Sequence, residues 1–407
     1  MPRAHRVHTV IHTEPKERTA SILREICNRN FIVITVINFL VMAAYYMVFI
    51  LSTSYAREKF ALSLSNAGLT ASLMVIGCLV GRFLSGNLIT FLGCKILLFL
   101  GLLIDVLSIF SSFLIDSVFA LYIQRLFSGI GMGVVATVTG TAIACIIPQK
   151  YHGFGISLFS TSTALALALG PFFGIFLLKY MPYLSIIKIN GICILACIVL
   201  FFFLQQIPKV VKHHRPLLEL NSYIDPRVVR FSLVALLMCL SYGCIQAFMT
   251  TYAGERNLVN ASSLFFLCYA FSAILTRPIS GSLYDSRGEN SIFTGIFLLT
   301  ILALCLLAFA ANSFVLLLAG VLFGIGFGNF QSLGQVVSLT LVTKSRYPQA
   351  TTTFFVFFDL GVGLGPYLLG FTVKYIGYTG MFLLLSVTTV CAALLYYCIY
   401  GKKLNPE

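Results

Sequence analysis

The chain has 407 residues, of which 59% are hydrophobic and only 10% charged, with a mean hydropathy of +0.96. Soluble domains run nearer half apolar and a quarter charged, so a water-soluble globule is excluded and a membrane protein is indicated. The formal net charge of +14 does not point to nucleic acid, because the cations are not clustered with aromatics on one soluble face.

A polar tail, residues 1–30, comes first. It lacks a short apolar core followed by a small-residue cleavage site, so the first span is expected to stay in the product. Its His5, His8 and His12 follow a spacing that could hold a metal, but a disordered basic tail is the reading adopted, and His152, His213 and His214 also fall between spans. A spanning helix takes about 20 mostly apolar residues, because every backbone polar group must be satisfied within it. Twelve runs qualify: 31–51, 67–89, 96–115, 118–146, 154–178, 184–206, 230–252, 262–283, 291–311, 313–342, 349–373 and 380–400. With the N-terminus in the cytoplasm, seventeen Lys and Arg fall on the cytoplasmic side, five outside and five within spans, Arg82, Arg125 and Arg277 among them. That asymmetry predicts a multi-pass protein of the cell membrane with both termini cytoplasmic. The twelve cysteines are scattered singly through apolar runs without a CxxC, and read as small buried hydrophobes.

Residues 207–229 are a charged, proline-bearing interruption after six spans, and they divide the chain. The expected organisation is a tail (1–30), a six-helix bundle (31–206), a cytoplasmic linker (207–229), a second bundle (230–400) and a short tail (401–407). The two bundles repeat. RFLSG at Arg82 returns as RPISG at Arg277, GIGMG at Gly129 as GIGFG at Gly324, and Gly170-Pro171 as Gly365-Pro366, each 195 residues on. Parallel repeats of this kind occur in secondary transporters.

These motifs resemble the major facilitator superfamily from about residue 30 to residue 400. Its loop signature between spans 2 and 3, G-x-L-x-D-R-x-G-R-K, is met at Gly86, Leu88, Gly93 and Lys95, with Thr90 where the acid belongs. The second half keeps Gly281, Leu283, Asp285 and Gly288, with Arg287 one place out of register. The fourth-span signature matches at Arg125, Gly129, Gly131 and Gly133, and the fifth-span G-P-x-x-G at Gly170, Pro171 and Gly174. The last pattern is similar to that of twelve-span drug:proton antiporters. The resemblance implies an all-α membrane protein whose twelve transmembrane helices form two pseudo-symmetric six-helix bundles.

A charged side chain near the bilayer centre costs at least ~2.5–3.5 kcal/mol, so each one needs a role or a partner. Asp359, which shares a span with Thr351, Thr352, Thr353 and the kinked Gly365-Pro366, is the expected proton carrier or counter-charge; pairing with Arg125 or capping a helix is the structural alternative. Arg125 resembles the superfamily arginine proposed to take part in proton coupling. Asp105 reads as structural. Arg82 and Arg277, with Gly86, Lys95, Gly281, Asp285 and Arg287, are expected to close the cytoplasmic side, the arginines snorkelling to headgroups and Lys95 facing them. Gly170-Pro171 and Gly365-Pro366 are hinge candidates, since proline removes an N–H and clashes with the preceding turn. The glycine ladders read first as close helix packing. Asn38, Tyr45, Tyr46, Tyr242, Gln246, Tyr269, Asn329, Gln331 and Gln335 are the expected cavity lining for an amphipathic or weakly charged solute.

No glycine-rich phosphate loop supports ATP drive, and no cofactor, resident metal or catalysis is expected. The expectation is a monomeric, proton-coupled secondary transporter in the lipid bilayer, exporting small organic molecules by rocking of its halves. An importer of a sugar or carboxylate is the first rival. A sensor or scaffold is the second, and the repeated gate motifs argue against it. An ion channel lacks the ring of charge it would need. The asymmetry between the loops predicts that Asp285→Asn impairs transport more than Thr90→Ala.

Overall fold

A computed structural model describes residues 28–148, 152–205, 207, 224–343 and 347–400. The N-terminal tail, most of the linker and residues 401–407 lie outside these residues, as do the tail histidines.

Helix α1 is Arg29–Phe60, capped by Asn28, whose side chain accepts from the Phe31 amide at 2.9 Å. A continuous helical run, Leu64–Ser111, turns at Gly93 and so yields α2 (64–92) and α3 (94–111). Gly93 has φ 77° and ψ 161°, and nothing lies within 4 Å of where a Cβ would be. Glycine is therefore required there by the backbone and not by crowding. The next four helices are α4 (Val118–Ile146), α5 (His152–Leu178), α6 (Tyr183–Phe202) and α7 (Pro226–Glu255). Proline opens α7 at the first turn, where its missing N–H is no loss, and Asp225 caps it by accepting from the Arg227 amide at 3.0 Å. Then follow α8 (Val259–Arg287), α9 (Glu289–Ala308) and α10 (Ser313–Thr340). A final run, Tyr347–Ile399, turns at Gly377 and gives α11 (347–376) and α12 (378–399). Gly288, between α8 and α9, repeats the Gly93 geometry at φ 77°, again 195 residues on. The helices remain continuous through Pro171 and Pro366. The cysteines among the described residues are all free.

Membrane helices have no hydrophobic drive to associate, so close backbone approach carries the packing. The glycine ladders supply it. A Cβ on Gly129 or Gly133 would lie 2.0 and 2.2 Å from the carbonyl oxygens of Met74 and Cys78, locking α4 against α2. In the second half, a Cβ on Gly324 would meet the Tyr269 carbonyl at 2.2 Å, and one on Gly328 would meet Ala273 at 2.5 Å, locking α10 against α8.

The halves meet along α2 with α11 and α5 with α8, and α1 approaches α7. On the side away from the chain termini they are closed together. Met47–Thr53 of α1 and Ser241–Met249 of α7 are buried at every consecutive position, so these stretches are surrounded on all faces. Ser65 Oγ donates to the Tyr367 carbonyl at 3.2 Å, Lys179 Nζ to the Asn260 carbonyl at 3.4 Å, and a Cβ on Gly68 would sit 2.5 Å from the Pro366 carbonyl oxygen.

Candidate functional site

Between the halves lies a cavity with about 500 Å³ of space between atoms, part of it open to solvent. Both halves contribute to its wall. Tyr45, Tyr46 and Phe49 come from α1, and Tyr242 and Gln246 from α7. Two pairs of lining residues are repeat mates 195 positions apart: Met132 of α4 with Phe327 of α10, and Leu167 of α5 with Val362 of α11. Val75, Cys78, Gln331 and Phe358 complete a mainly apolar surface around two charges.

Those charges are Arg82 on α2 and Asp359 on α11. Arg82 Nε is 3.3 Å from Asp359 Oδ2 and also donates to Cys78 Sγ at 3.3 Å. Their side chains keep 34% and 17% of their exposure, so the pair is accessible from the cavity but shielded from bulk solvent. In such surroundings charges interact more strongly than at a wet surface. Asp359 is the acid singled out in the sequence, and the cation beside it is Arg82 and not Arg125. Nor does Arg82 reach for headgroups, because the Asp359 carboxylate holds it in the cavity.

Arg125 is wholly buried near the other end of α4. Its Nη2 donates to the Tyr183 hydroxyl at 2.5 Å, Tyr183 stacks on Tyr55 at 3.9 Å, and Nε and Nη1 have no hydrogen-bond partner among the described residues. Asp105 is buried against Gly131, and its Oδ2 has no hydrogen-bond partner among the described residues.

Of the expected lining, Tyr45, Tyr46, Tyr242, Gln246 and Gln331 face the cavity. Gln246 Nε2 donates to the Tyr242 hydroxyl at 2.7 Å, and its buried Oε1 has no hydrogen-bond partner among the described residues. Asn38 and Asn329 are placed elsewhere, as clamps between helices. Asn38 Nδ2 donates to Ser162 and Thr163 of α5, both at 3.0 Å, and its Oδ1 accepts from Thr139 of α4 at 3.1 Å. Asn329 Nδ2 donates to Thr276 at 2.8 Å, and its Oδ1 accepts from Ser280 at 2.8 Å, both on α8. A buried amide demands several partners, and neighbouring hydroxyls supply them. Tyr269 stands behind the wall, its ring 5.8 Å from that of Tyr242, and Gln335 is half-buried beyond the lining. Thr353 accepts from the Asp225 amide at 2.8 Å, at the start of α7.

Of the gate residues, Lys95 turns away from the headgroups: its Nζ donates to the Leu204 carbonyl at 2.8 Å, just past the end of α6, and lies 5.8 Å from the Phe201 ring centroid. Cations at helix C-termini satisfy the last carbonyls in this way. Arg287 is exposed in the last turn of α8, and a Cβ on Gly281 would have nothing within 4 Å. The side chains of Thr90, His152 and Asp285, and the surroundings of Gly86, lie outside what is described. Gly170 packs against Ala43 and Tyr46 of α1, and Gly365 against Leu240 of α7, so the hinge candidates sit at helix contacts beside the cavity. Among the described residues no cluster of His, Cys, Asp and Glu could hold a metal.

Comparison with known proteins places these features. The sequence model of the Major Facilitator Superfamily matches residues 34–294 and again 231–406. An uncharacterized MFS-type transporter of Bacillus subtilis, YfkF, is 25% identical over 329 residues, covering 79% of this chain and 83% of that protein. The multi-drug resistance efflux pump PmrA of Streptococcus pneumoniae is 23% identical over 302 residues, covering 70% and 73%. Among solved structures, a mutant of the nucleoside transporter NupG superposes with a TM-score of 0.79 at 14% identity, covering 92% of this chain and all of that one. A D-xylose-proton symporter gives 0.74 at 13% identity, covering 90% and 97%.

Proposed function

The chain belongs to the Major Facilitator Superfamily, and from that premise we propose that it is a proton-coupled exporter of small organic molecules working by alternating access. The observation that carries this reading is the Arg82–Asp359 pair, which joins the two halves within the cavity.

A guanidinium stays charged under all physiological conditions, so only the carboxyl can change state. While Asp359 is ionised the pair draws α2 and α11 together; a proton on Asp359 removes one charge and with it the attraction. The halves then differ in how readily they part, depending on whether a proton is aboard. Solute and proton compete or cooperate through the same cavity, whose apolar wall and tyrosine and glutamine groups suit an amphipathic body. Export is supported by the efflux pumps among the relatives, PmrA in particular. The positive-inside pattern supports termini on the cytoplasmic side. On that orientation the closed side is the outer one, and the described conformation is ready to receive solute from the cytoplasm.

Inverted vesicles with an imposed pH gradient test the reading. Substrate-dependent proton flux is expected with the native chain and is expected to be lost in Asp359→Asn. Flux that Asp359→Asn leaves intact would remove the proton-carrier assignment.

A further inference from the structure

The repeat places two arginines in one register but supplies only one acid. On α2, Met74 and Cys78 oppose Gly129 and Gly133; on α8, Tyr269 and Ala273 oppose Gly324 and Gly328, each 195 residues on. Arg82 follows Cys78 by four residues, as Arg277 follows Ala273. Arg277 therefore stands on α8 where Arg82 stands on α2, and α8 packs on α5 as α2 packs on α11. The depth agrees, because Thr276 bonds Asn329, two residues from the cavity-lining Gln331. The register of α5 on α11 is fixed by Leu167 and Val362, both in the wall. The mate of Asp359 on α5 is therefore Ala164.

By the repeat register, the position opposite Arg277 is an alanine where Arg82 has a carboxylate. Its half-buried side chain has no hydrogen-bond or ion-pair partner among the described residues, and its Nε is fully buried. An unpaired guanidinium beside a low-dielectric cavity attracts negative charge, and its planar fork matches a carboxylate. Arg277 is not itself in the cavity wall, but with Arg82 offset by Asp359 the repeat register sets one uncompensated positive charge beside it. We propose that the transported solute is a small amphipathic organic anion, its carboxylate on Arg277 and its apolar body against Phe49, Phe327 and Phe358. This deepens the transport reading by naming a substrate class and rests on the same cavity.

Thermal unfolding of the purified full chain tests it with three probes of one shape and different charge: benzoate, benzamide and benzylammonium, at equal concentrations. A ligand that binds only the folded state raises the midpoint. Benzoate is expected to raise it and the other two to leave it unchanged. Arg277→Gln is expected to weaken benzoate at least about tenfold, as loss of a charge-assisted contact does, while Arg277→Lys keeps part of the shift. Ala164→Asp, which restores the missing acid, is expected to abolish the benzoate shift without lowering the midpoint of the free protein, and it decides the matter should Arg277→Gln fail to fold. Absence of any benzoate shift, an equal shift with benzylammonium or benzamide, or a benzoate shift that survives either substitution overturns the proposal. No gradient is applied, so these outcomes are independent of the Asp359→Asn flux measurement, which judges proton coupling alone.

Discussion

Arg82 on α2 holds Asp359 on α11 at 3.3 Å across the boundary between the two halves. A charge pair so placed acts on the relative position of the bundles. The halves of the pair are not equivalent: Asp359→Asn keeps the shape and removes the proton site, whereas Arg82→Gln leaves an uncompensated carboxylate in the cavity. We expect both to reduce gradient-driven transport at least about tenfold, the scale of a lost charge-assisted contact. Only Asp359→Asn is expected to leave solute exchange without a gradient near the native rate. Counterflow in proteoliposomes beside gradient-driven uptake reads the difference.

The closed side depends on Gly68. A side chain there meets the Pro366 carbonyl, at 2.5 Å for the Cβ alone, and backbone cannot move aside as a flexible side chain can. Gly68→Val is therefore expected to disfavour this closure by about 1–3 kcal/mol, the usual cost of overpacking. A cysteine placed at Ser65, now against Tyr367, is expected to react faster with an impermeant thiol reagent in the Gly68→Val background.

Asn38 and Asn329 are the residues whose type was legible in the sequence but whose task was not. Both were expected in the cavity because a polar amide in an apolar run demands an explanation. The explanation is local: Thr139, Ser162 and Thr163 surround one amide, and Thr276 and Ser280 the other. The 195-residue repeat, the twelve spans and the glycine ladders could be read directly, because spacing along a helix fixes which residues share a face. Helix rotation could not, and so the apolar lining of Phe49, Met132, Leu167 and Phe358 was missed: nothing in a leucine or phenylalanine marks it as cavity and not core. The partner of Asp359 was missed for a related reason. Arg82 lies close enough to a span end to suggest headgroups, and only the packing of α2 on α11 brings it inward. Asn38→Leu is expected to lower thermal stability, with about 1–2 kcal/mol lost as the amide's hydrogen bonds go, while KM for transport stays within about twofold, under half a kcal/mol. A large rise in KM with unchanged stability would return Asn38 to the cavity.

The glycines of α4 make a sharper stability prediction. Gly129→Ala adds one methyl 2.0 Å from the Met74 carbonyl oxygen, while Gly140→Ala adds one with nothing within 4 Å. The first is expected to cost about 1–3 kcal/mol by overpacking. The second is expected to be neutral or slightly stabilising, since alanine is the better helix former. Melting of the two purified variants side by side separates a packing contact from a general intolerance of side chains on α4.

Arg125 and Tyr183 offer a last separation, between a structural cation and one that takes part in coupling. The guanidinium is wholly buried, bonds the Tyr183 hydroxyl at 2.5 Å and lies on α4, whereas the ion pair of the cavity joins α2 and α11. A hydrogen bond from a charged donor contributes about 1.5–3 kcal/mol, and a double-mutant cycle isolates it. Arg125→Met and Tyr183→Phe are therefore expected to be less costly together than the sum of their separate losses, by about that amount, since either one alone removes the bond. If Arg125 serves only α4 and α6, Tyr183→Phe lowers stability and leaves the stoichiometry of proton to solute unchanged. If it takes part in coupling, Tyr183→Phe changes that stoichiometry, because the hydroxyl is what fixes the guanidinium in place. Measured proton flux per solute moved, in Tyr183→Phe proteoliposomes, distinguishes the two.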